Sequence, residues 1–321
     1  MIKTKININF IIIILFCILN IDKYENFCLK CIKNSQNIEC LNCTNYVIFK
    51  DIKIHDEEET LNEIINKNKS ISRFGDGEYL YMLGSDIGFQ DYNKELAQRL
   101  LKILNSEEKN LLIGISLPYK QRNLNRFIYI VKKYYKSFLR RIKFQLAQML
   151  HKKEYYSSTI SRFYIDLKSK KRVPKYVKKL KKIWDKKDVV IIEGEKSRLG
   201  IGNNLFDNMN SIQRVICPIT NAFNRYNDII NTIINKVNKN KLILIALGPT
   251  ATVLAYDLNN LGYQAIDIGH IDIEYEWYLL KAKGKIPIKN KYCNEAGEKN
   301  KTYTNVTDKN YYKQIISWIS D

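Results

Sequence analysis

The sequence predicts an α/β fold in which helices cover both faces of a mostly parallel β-sheet. From about residue 57, short apolar segments typical of buried strands alternate with longer segments of helical periodicity. Apolar strands that are separated by helices form parallel sheets covered on both sides. The chain has 321 residues but only five Pro and 13 Gly. We therefore expect one compact domain over residues 57–321 after an N-terminal appendage over residues 1–56.

Local signals place the individual elements. Asp56 and the three glutamates after it predict the start of the first helix, because an Asp cap and acidic residues stabilise a helix N-terminus. Leu96, Leu100 and Leu101 share one face of a second helix. Predicted helices cover 56–65, 92–105, 126–150, 203–209, 222–236 and 250–260. Predicted strands cover 70–75, 111–116, 188–192, 213–217, 241–247 and 264–268.

Positive charge is concentrated in one segment. The chain has 53 Lys and Arg residues against 33 Asp and Glu, a net charge of +20. Residues 120–187 hold 23 basic and three acidic residues, so this segment accounts for the whole excess. A single basic segment indicates one docking face for an anionic partner. A nucleic-acid partner is not expected, since the remainder of the chain is neutral.

Within the basic segment, residues 126–150 predict an amphipathic helical insertion. One interpretation is that its basic face binds an anionic membrane surface. The other is that the helix packs on the sheet and its basic face is solvated. The predicted apolar stripe consists of Phe127, Ile130, Val131, Tyr134, Phe138, Ile142, Leu146 and Met149. The predicted basic face consists of Lys132, Lys133, Lys136, Arg140, Arg141 and Lys143.

The first 56 residues contain two features that allow several interpretations. The apolar run from Phe10 to Leu19 is too short to span a bilayer, and it is either an interfacial or buried helix or a signal or anchor segment. Two CxxC pairs follow, which could bind zinc, form disulfides or do neither. The four cysteines are Cys28, Cys31, Cys40 and Cys43. We expect a cytoplasmic protein, which peripheral binding or an N-terminal anchor could hold at the membrane.

Two acidic residues directly follow the first predicted strand of the domain. Asp76 and Glu78 are separated by Gly77 and preceded by Gly75. In an extended chain, residues two apart project to the same side. Two carboxylates on one side suit Mg²⁺ or Mn²⁺, which complete an octahedron with water and phosphate oxygens. The pair is therefore a predicted metal site, and the alternative is a polar turn with two solvated acids.

A glycine-rich loop follows the strand that ends at Glu193. This loop leads into the helix predicted from about Asn203, and the N–H groups of a helix N-terminus attract phosphate. Lys196 and Arg198 could add charge-assisted hydrogen bonds to a diphosphate. The alternative is an ordinary connection between a strand and a helix.

A second helix N-terminus is predicted where another strand ends at Gly248. Pro249 suits the first turn of the helix, and Thr250 or Thr252 could cap it. This site could hold phosphate or ribose. A cap would be needed with or without a ligand, so both readings remain open.

Polar residues alternate with apolar ones after the last predicted strand. His270, Asp272, Glu274 and Glu276 lie on one side if the segment is extended. If it is helical, His270 pairs with Glu274 and Asp272 pairs with Glu276. In either case a carboxylate could act as a general base toward a hydroxyl group. A divalent metal, a diphosphate site and a base together indicate a nucleotide-sugar transferase.

Three long segments resemble the bacterial DUF1792 family, the glycosyltransferases of GT-D type. They are SRFGDGEY (72–79), VVIIEGEKSRLGIGN (189–203) and ILIALGPTATVLAYDLNNLGYQAIDIGHIDIEYEW (243–277), and the resemblance extends over about residues 57–300. It implies a Rossmann-like fold distinct from GT-A and GT-B. It also implies a UDP-sugar donor, UDP-glucose first, bound with Mn²⁺ or Mg²⁺, and a glycan acceptor linked to protein or lipid.

The resemblance places the family's D-x-E metal motif on Asp76 and Glu78. We assign the donor site to the residues around the strand ends and the catalytic base to the helix or strand after residue 269. The donor-binding candidates are Arg73, Gly75, Gly77, Glu193, Lys196, Ser197, Arg198, Gly248, Thr250 and Asp267. The catalytic candidates are His270, Glu274 and Glu276. Two alternatives are a methyltransferase or nucleotide hydrolase with a similar sheet, and a non-enzymatic module that binds membranes or nucleic acid.

Overall fold

A parallel sheet runs through the described part of the chain. The computed structural model describes residues 52–116, 121–152, 154–297 and 303–320, with the backbone alone at 121–123. Nine strands occur in these residues: β1 (Lys53–Ile54), β2 (Ser70–Phe74), β3 (Leu111–Ile115), β4 (Glu154–Ser157), β5 (Asp188–Gly194), β6 (Ser211–Cys217), β7 (Leu242–Ala246), β8 (Gln264–Asp267) and β9 (Ile315–Trp318). Their order is β1-β4-β3-β2-β8-β7-β5-β6-β9, and all neighbours are parallel.

Helices connect most of the strands. Those in the described residues are α1 (Glu57–Lys67), α2 (Asp76–Met82), α3 (Lys94–Leu104), α4 (Tyr129–Met149), α5 (Val173–Leu180), α6 (Tyr226–Lys236), α7 (Pro249–Asn260), α8 (Ile271–Leu279) and α9 (Lys309–Gln314). Short 3₁₀ segments occur at 121–126, 158–161, 181–183, 222–225 and 294–296. None of the helices in these ranges is both long enough and apolar enough to cross a membrane.

The helices cover both faces of the sheet, as predicted. Ile71 of β2 belongs to a buried cluster that also contains Ile64 of α1, Val177 of α5 and Trp277 of α8. The next residue, Ser72, points to the opposite face, because side chains alternate along a strand. There its hydroxyl donates a hydrogen bond to a backbone carbonyl of α7. The sheet is therefore the middle layer of an α/β sandwich.

The first helix begins where the sequence predicts. The Asp56 side chain accepts a hydrogen bond from the Glu59 N–H at 2.9 Å, and the Glu59 side chain accepts one from the Asp56 N–H at 2.9 Å. This reciprocal arrangement is a capping box, which satisfies two backbone donors at the start of a helix. The strand β1 lies just before it, so the sheet already includes residues of the predicted appendage.

The predicted helix at 203–209 is wrong. Residues 201–208 form turns, and the side-chain oxygen of Asn203 accepts a hydrogen bond from the Leu205 N–H at 2.9 Å. Such a side-chain contact gives the backbone an alternative to helical hydrogen bonding. Gly200 and Gly202 have positive φ angles of 77° and 81°, which are incompatible with a right-handed helix at these positions. No helix N-terminus follows β5 to attract phosphate.

Several elements escape prediction because they are short or lack a strong period. Examples are the two edge strands β1 and β9, the short strand β4 and the helices α2, α5 and α9. The predicted N-terminal segment at 1–20 and the four cysteines at 28, 31, 40 and 43 lie outside the described residues.

The predicted amphipathic helix exists as α4, but its apolar stripe divides in two. Phe138, Ile142 and Leu146 are buried against the body of the domain. By contrast, Ile130 and Tyr134 are exposed, and they line a cavity at the carboxyl edge of the sheet. The N-terminal part of α4 is thus a wall of that cavity.

Candidate active site

A cavity in the described residues lies beyond the carboxyl ends of the central strands. Its volume is about 980 Å³, and it is bounded by the residues that follow β2, β5, β7 and β8 and by α4. Ligands of open α/β sheets bind at this edge. Predicted site residues that line it are Arg73, Gly75, Asp76, Gly77, Glu78, Ser197, Gly248, Asp267 and His270. Those that do not line it are Glu193, Lys196, Arg198, Thr250, Glu274 and Glu276.

The two predicted metal ligands lie in the first turn of a helix. The sequence predicts an extended chain at Asp76 and Glu78, but both belong to α2, which begins directly after β2. Gly75 is the N-cap residue, and its N–H donates a hydrogen bond to Oε2 of Glu78 at 2.8 Å. The hydroxyl of Tyr134 in α4 donates a hydrogen bond to Oδ2 of Asp76. Both carboxylates are half-buried and line the cavity.

Electrostatics at this turn favour a bound cation. The pKa of Glu78 is raised to about 7, mainly by burial and also by the negative charges of Asp267 and Asp76, against the effect of the Gly75 hydrogen bond. In the described residues, no group of three metal-ligating side chains occurs. Mg²⁺ is commonly held by one or two carboxylates together with water and substrate phosphates. Asp76 and Glu78 fit a divalent cation held in that way.

A buried ion pair joins the ends of β2 and β8. Nη2 of Arg73 lies 2.9 Å from Oδ1 of Asp267. Nη1 of Arg73 donates to the Ser158 carbonyl at 2.8 Å and to the Ser161 hydroxyl at 2.6 Å. Burial raises the pKa of Asp267, whereas the Arg73 charge opposes that rise. The buried Nε of Arg73 has no hydrogen-bond partner.

The glycine after β8 allows this ion pair to form. Gly269 has a φ of 47°, a left-handed conformation that other residues rarely adopt. A Cβ atom at this position would collide with the Arg73 guanidinium. Gly269 therefore fixes both the turn and the space that Arg73 occupies.

The loop after β5 is held by a second buried ion pair. Glu193, which is fully buried, accepts hydrogen bonds from the Arg214 guanidinium and from the Leu199 N–H, the latter at 2.7 Å. Burial raises the pKa of Glu193, and the nearby charge of Arg214 opposes that effect. Glu193 therefore anchors the loop and does not face the cavity.

The predicted diphosphate ligands of this loop are directed elsewhere. Arg198 is buried and donates to the Asn290 carbonyl at 3.1 Å and to the Thr304 carbonyl at 2.9 Å. Lys196 forms an ion pair with Glu195. Of the three predicted residues, only Ser197 reaches the cavity.

The helix after β7 has no side-chain cap. Gly248 is its N-cap residue and has a φ of 55°, and a Cβ there would collide with Phe89. The two threonines that were predicted to cap this helix do not do so. The Thr252 hydroxyl donates to the Arg73 carbonyl at 2.9 Å, and the buried Thr250 hydroxyl has no partner.

The polar segment after β8 is helical, and His270 is its N-cap residue. His270 lines the cavity, and its Nδ1 lies 3.7 Å from a carboxylate oxygen of Glu295. Burial lowers the pKa of His270 to about 4, and the charge of Arg162 adds to the effect. The imidazole is therefore neutral at neutral pH.

Two of the predicted bases serve other contacts. Oε1 of Glu274 accepts hydrogen bonds from the N–H groups of Tyr164 at 2.5 Å and Ile165 at 2.7 Å, so the predicted pair with His270 does not form. Glu276 accepts from Lys291 at 2.9 Å and from the Asn203 amide at 2.7 Å. Neither carboxylate reaches the cavity.

Several wall residues were missed by sequence reasoning. Glu295 forms ion pairs with Arg162 and with Lys285, the latter at 2.5 Å, and all three line the cavity. Arg162 and Lys285 lie in irregular segments and Glu295 in a short 3₁₀ segment, and none of these segments has a periodic signal. Tyr134 was assigned to an apolar stripe, but its hydroxyl contacts Asp76.

The described residues form an α/β fold with a cavity at the carboxyl edge of a parallel sheet, which is where α/β enzymes of this kind bind their substrates. The family model described as the glycosyltransferase GT-D fold matches residues 71–296. The chain therefore belongs to the GT-D family of glycosyltransferases, which confirms the family and the enzyme class predicted from the sequence.

Known proteins support the same assignment. Glycosyltransferase GlyD of Streptococcus pneumoniae serotype 4 is 37% identical over 268 residues, which is 84% of this chain and 33% of that protein. This chain spans about a third of the length of the curated relatives it matches.

Solved structures confirm the predicted fold. One, described as the highly conserved domain of unknown function 1792 with a distinct glycosyltransferase fold, has a TM-score of 0.80 and 37% identity, and the match covers 86% of this chain and 98% of that one. Another, a new glycosyltransferase (DUF1792) from Streptococcus sanguinis, has a TM-score of 0.79 and 35% identity over 84% of this chain and 99% of that one.

Proposed function

We propose that this chain transfers a hexose, glucose in the first instance, from a UDP-sugar to a hydroxyl group of a glycan acceptor linked to protein or lipid. The observation that carries this proposal is the position of Asp76 and Glu78, which both line the cavity at the carboxyl end of β2. Family membership supports glycosyl transfer, and the acid pair supports a donor with a diphosphate group.

Mn²⁺ or Mg²⁺ is the proposed cofactor, with Asp76 and Glu78 as its protein ligands. When bound, the metal would stabilise the charge of the leaving nucleoside diphosphate. The chain itself orients the ligands. The Gly75 N–H holds Glu78, and the Tyr134 hydroxyl holds Asp76.

The remaining cavity residues divide into positioning groups and a proton acceptor. Arg73 and Asp267 fix the ends of β2 and β8, beyond which the donor would lie. Of the three predicted bases, His270 is the one that lines the cavity, where its imidazole could accept a proton from the acceptor hydroxyl. We therefore assign the base to His270.

Release of UDP from UDP-glucose, measured with Mn²⁺, with Mg²⁺ and with EDTA, tests the metal site. Asp76→Asn and Glu78→Gln should each lower the rate on the order of 100-fold, which is typical when an electrostatic group of an active site is lost. Glu108→Gln, at an exposed position after α3, is the matched control and should leave the rate unchanged. Full activity in EDTA, or in both acid variants, would contradict the proposal.

The donor is tested separately by thermal shift with UDP-, GDP- and dTDP-sugars. UDP-glucose should raise the midpoint temperature of unfolding most, because at equal concentration the ligand that binds most tightly stabilises the folded state most. A larger shift with a GDP- or dTDP-sugar would contradict UDP-glucose as the donor, but it would still support a glycosyltransferase. UDP release without transfer to any glycan would favour a hydrolase.

A further inference from the structure

One face of α4 is exposed along its length and combines apolar with basic side chains. Its exposed residues are Tyr129, Ile130, Lys133, Tyr134, Ser137, Arg140, Arg141, Phe144, Gln145 and Gln148. With 3.6 residues per turn, these ten fall within an arc of about 160°. We call this arc the outer face of α4. The sequence pattern predicts separate apolar and basic faces, but the outer face carries both kinds of side chain.

The apolar residues of the outer face are unusually exposed. Tyr129 is 80% exposed, Ile130 69% and Phe144 54%. Single exposed apolar residues are common on protein surfaces, but these share one face of one helix. Ile130 and Phe144 are separated by about 21 Å along the helix axis, so apolar side chains mark both ends of the face.

The basic residues of the outer face lack acidic partners. The helix has six Lys and Arg residues and no Asp or Glu. Within the described residues, Lys133, Arg140 and Arg141 form no ion pair, whereas basic residues elsewhere in the domain, such as Arg99 and Lys179, do. Unpaired cations beside exposed aromatic and aliphatic groups complement an anionic surface with an apolar layer beneath it.

We propose that the outer face of α4 docks on the surface of an anionic lipid membrane. Ile130, Tyr129 and Phe144 would enter the boundary between headgroups and acyl chains, and the cations would contact lipid phosphates. A nucleic acid would satisfy the cations but offers no continuous apolar phase for Ile130 and Phe144. The membrane is therefore the partner that accounts for both kinds of side chain.

Docking in this orientation would set the position of the active-site cavity. Ile130 and Tyr134 belong to the outer face and also line the cavity. The mouth beside α4 would then lie at the membrane surface, where a lipid-linked or surface-bound acceptor is presented. This inference goes beyond the proposed function, because binding of vesicles requires no sugar transfer.

Flotation of the full-length chain with vesicles tests the proposal. One vesicle set is phosphatidylcholine alone, and the other is an equal mixture of phosphatidylcholine and phosphatidylglycerol. The chain should bind the mixed vesicles at low salt and should be released as the salt concentration rises. Absence of binding at low salt, or equal binding to both vesicle sets, would overturn the proposal.

Matched charge variants locate the contact. Each basic residue near an anionic surface strengthens binding roughly fivefold, so the triple variant Lys133→Gln, Arg140→Gln, Arg141→Gln should bind about 100-fold more weakly. The control removes three exposed lysines of the same basic segment, Lys171→Gln, Lys175→Gln and Lys178→Gln. An equal loss in both triple variants would overturn the assignment to α4.

The apolar contribution distinguishes a membrane from other anions. Tyr129→Ser with Phe144→Ser leaves the charge unchanged and should weaken vesicle binding by on the order of 100-fold, since each buries a large side chain in the interface. An unchanged affinity, or tighter binding of the chain to duplex DNA than to mixed vesicles at the same salt, would refute membrane docking. UDP release in solution should be unchanged in the Lys133, Arg140, Arg141 variant, which separates this proposal from the proposed function.

Discussion

Tyr134 of α4 donates a hydrogen bond from its hydroxyl to Oδ2 of Asp76, the first acid of the candidate metal site. Burial raises the pKa of Tyr134, and the charge of Asp76 raises it further, so the phenol remains a protonated donor. The basic helix and the acid pair are thus in direct contact. Groups that hydrogen-bond to a metal-binding carboxylate orient it.

Tyr134→Phe should therefore weaken metal binding. Loss of a group that orients a metal ligand typically costs about 10–100-fold in affinity. We expect the Mn²⁺ concentration for half-maximal UDP release to rise by about tenfold, with a smaller change in kcat. Tyr129→Phe, at an exposed position one turn away, is the control. An unaltered Mn²⁺ dependence in Tyr134→Phe would contradict the positioning role.

Gly269→Ala should destabilise the domain. The added Cβ would meet the Arg73 guanidinium, and alanine is strained at a φ of 47°. We expect a loss of about 1–3 kcal/mol in the free energy of unfolding. Urea denaturation measures it, and Gly284→Ala, whose Cβ would meet no atom within 4 Å, should show little change. Equal urea midpoints for Gly269→Ala and Gly284→Ala would contradict this prediction and would show that Arg73 can move to make room for the added Cβ.

The sequence was sufficient to predict the central strands of the sheet and some of the residues that line the cavity. Strands such as β5 and β7 are buried on both faces, so their apolar runs are unambiguous. Asp76 and His270 follow strands, Asp267 is the last residue of β8, and the carboxyl ends of parallel strands meet at one edge. The position of these residues relative to the strands in the sequence was therefore sufficient to predict that they lie close together.

The predicted site residues that do not face the cavity share one physical explanation. The direction of each side chain depends on contacts with residues that are remote in sequence. Arg198 turns to carbonyls at 290 and 304, and Glu276 turns to Lys291. The wall formed by Arg162 and Glu295 joins segments that are 133 residues apart. Local spacing predicts which residues lie near a strand end, but it does not predict which of them face the cavity.

Arg214→Met should lower the free energy of unfolding more than a change of similar size at the surface. It leaves Glu193 buried without its cationic partner, which typically costs about 3–5 kcal/mol. Glu193→Gln in the same chain removes the uncompensated charge and should restore part of the stability. Chemical denaturation of the two variants and the double variant measures the coupling. Additive losses would show that the ion pair does not hold the loop.

The pH dependence of stability should carry a contribution from Glu274. Burial raises its pKa from 4.5 to about 7, against the opposing charge of Arg162, and Oε2 is buried without a partner. A carboxyl group with a raised pKa binds its proton more tightly in the folded state. Its stabilising contribution is complete below pH 4.5 and is lost as the pH rises through about 7.

Glu274→Gln removes this titration and retains an oxygen that can accept from the Tyr164 and Ile165 N–H groups. The wild-type chain should lose on the order of 3 kcal/mol relative to the variant across that interval, since one pKa unit corresponds to about 1.4 kcal/mol. Urea midpoints measured at several pH values test this. Glu63→Gln, on the surface of α1, is the control and should keep the wild-type slope. A Glu274→Gln curve parallel to the wild-type curve would show that Glu274 stays ionised in the folded protein, and the backbone at 164–165 would then be held by a charged carboxylate.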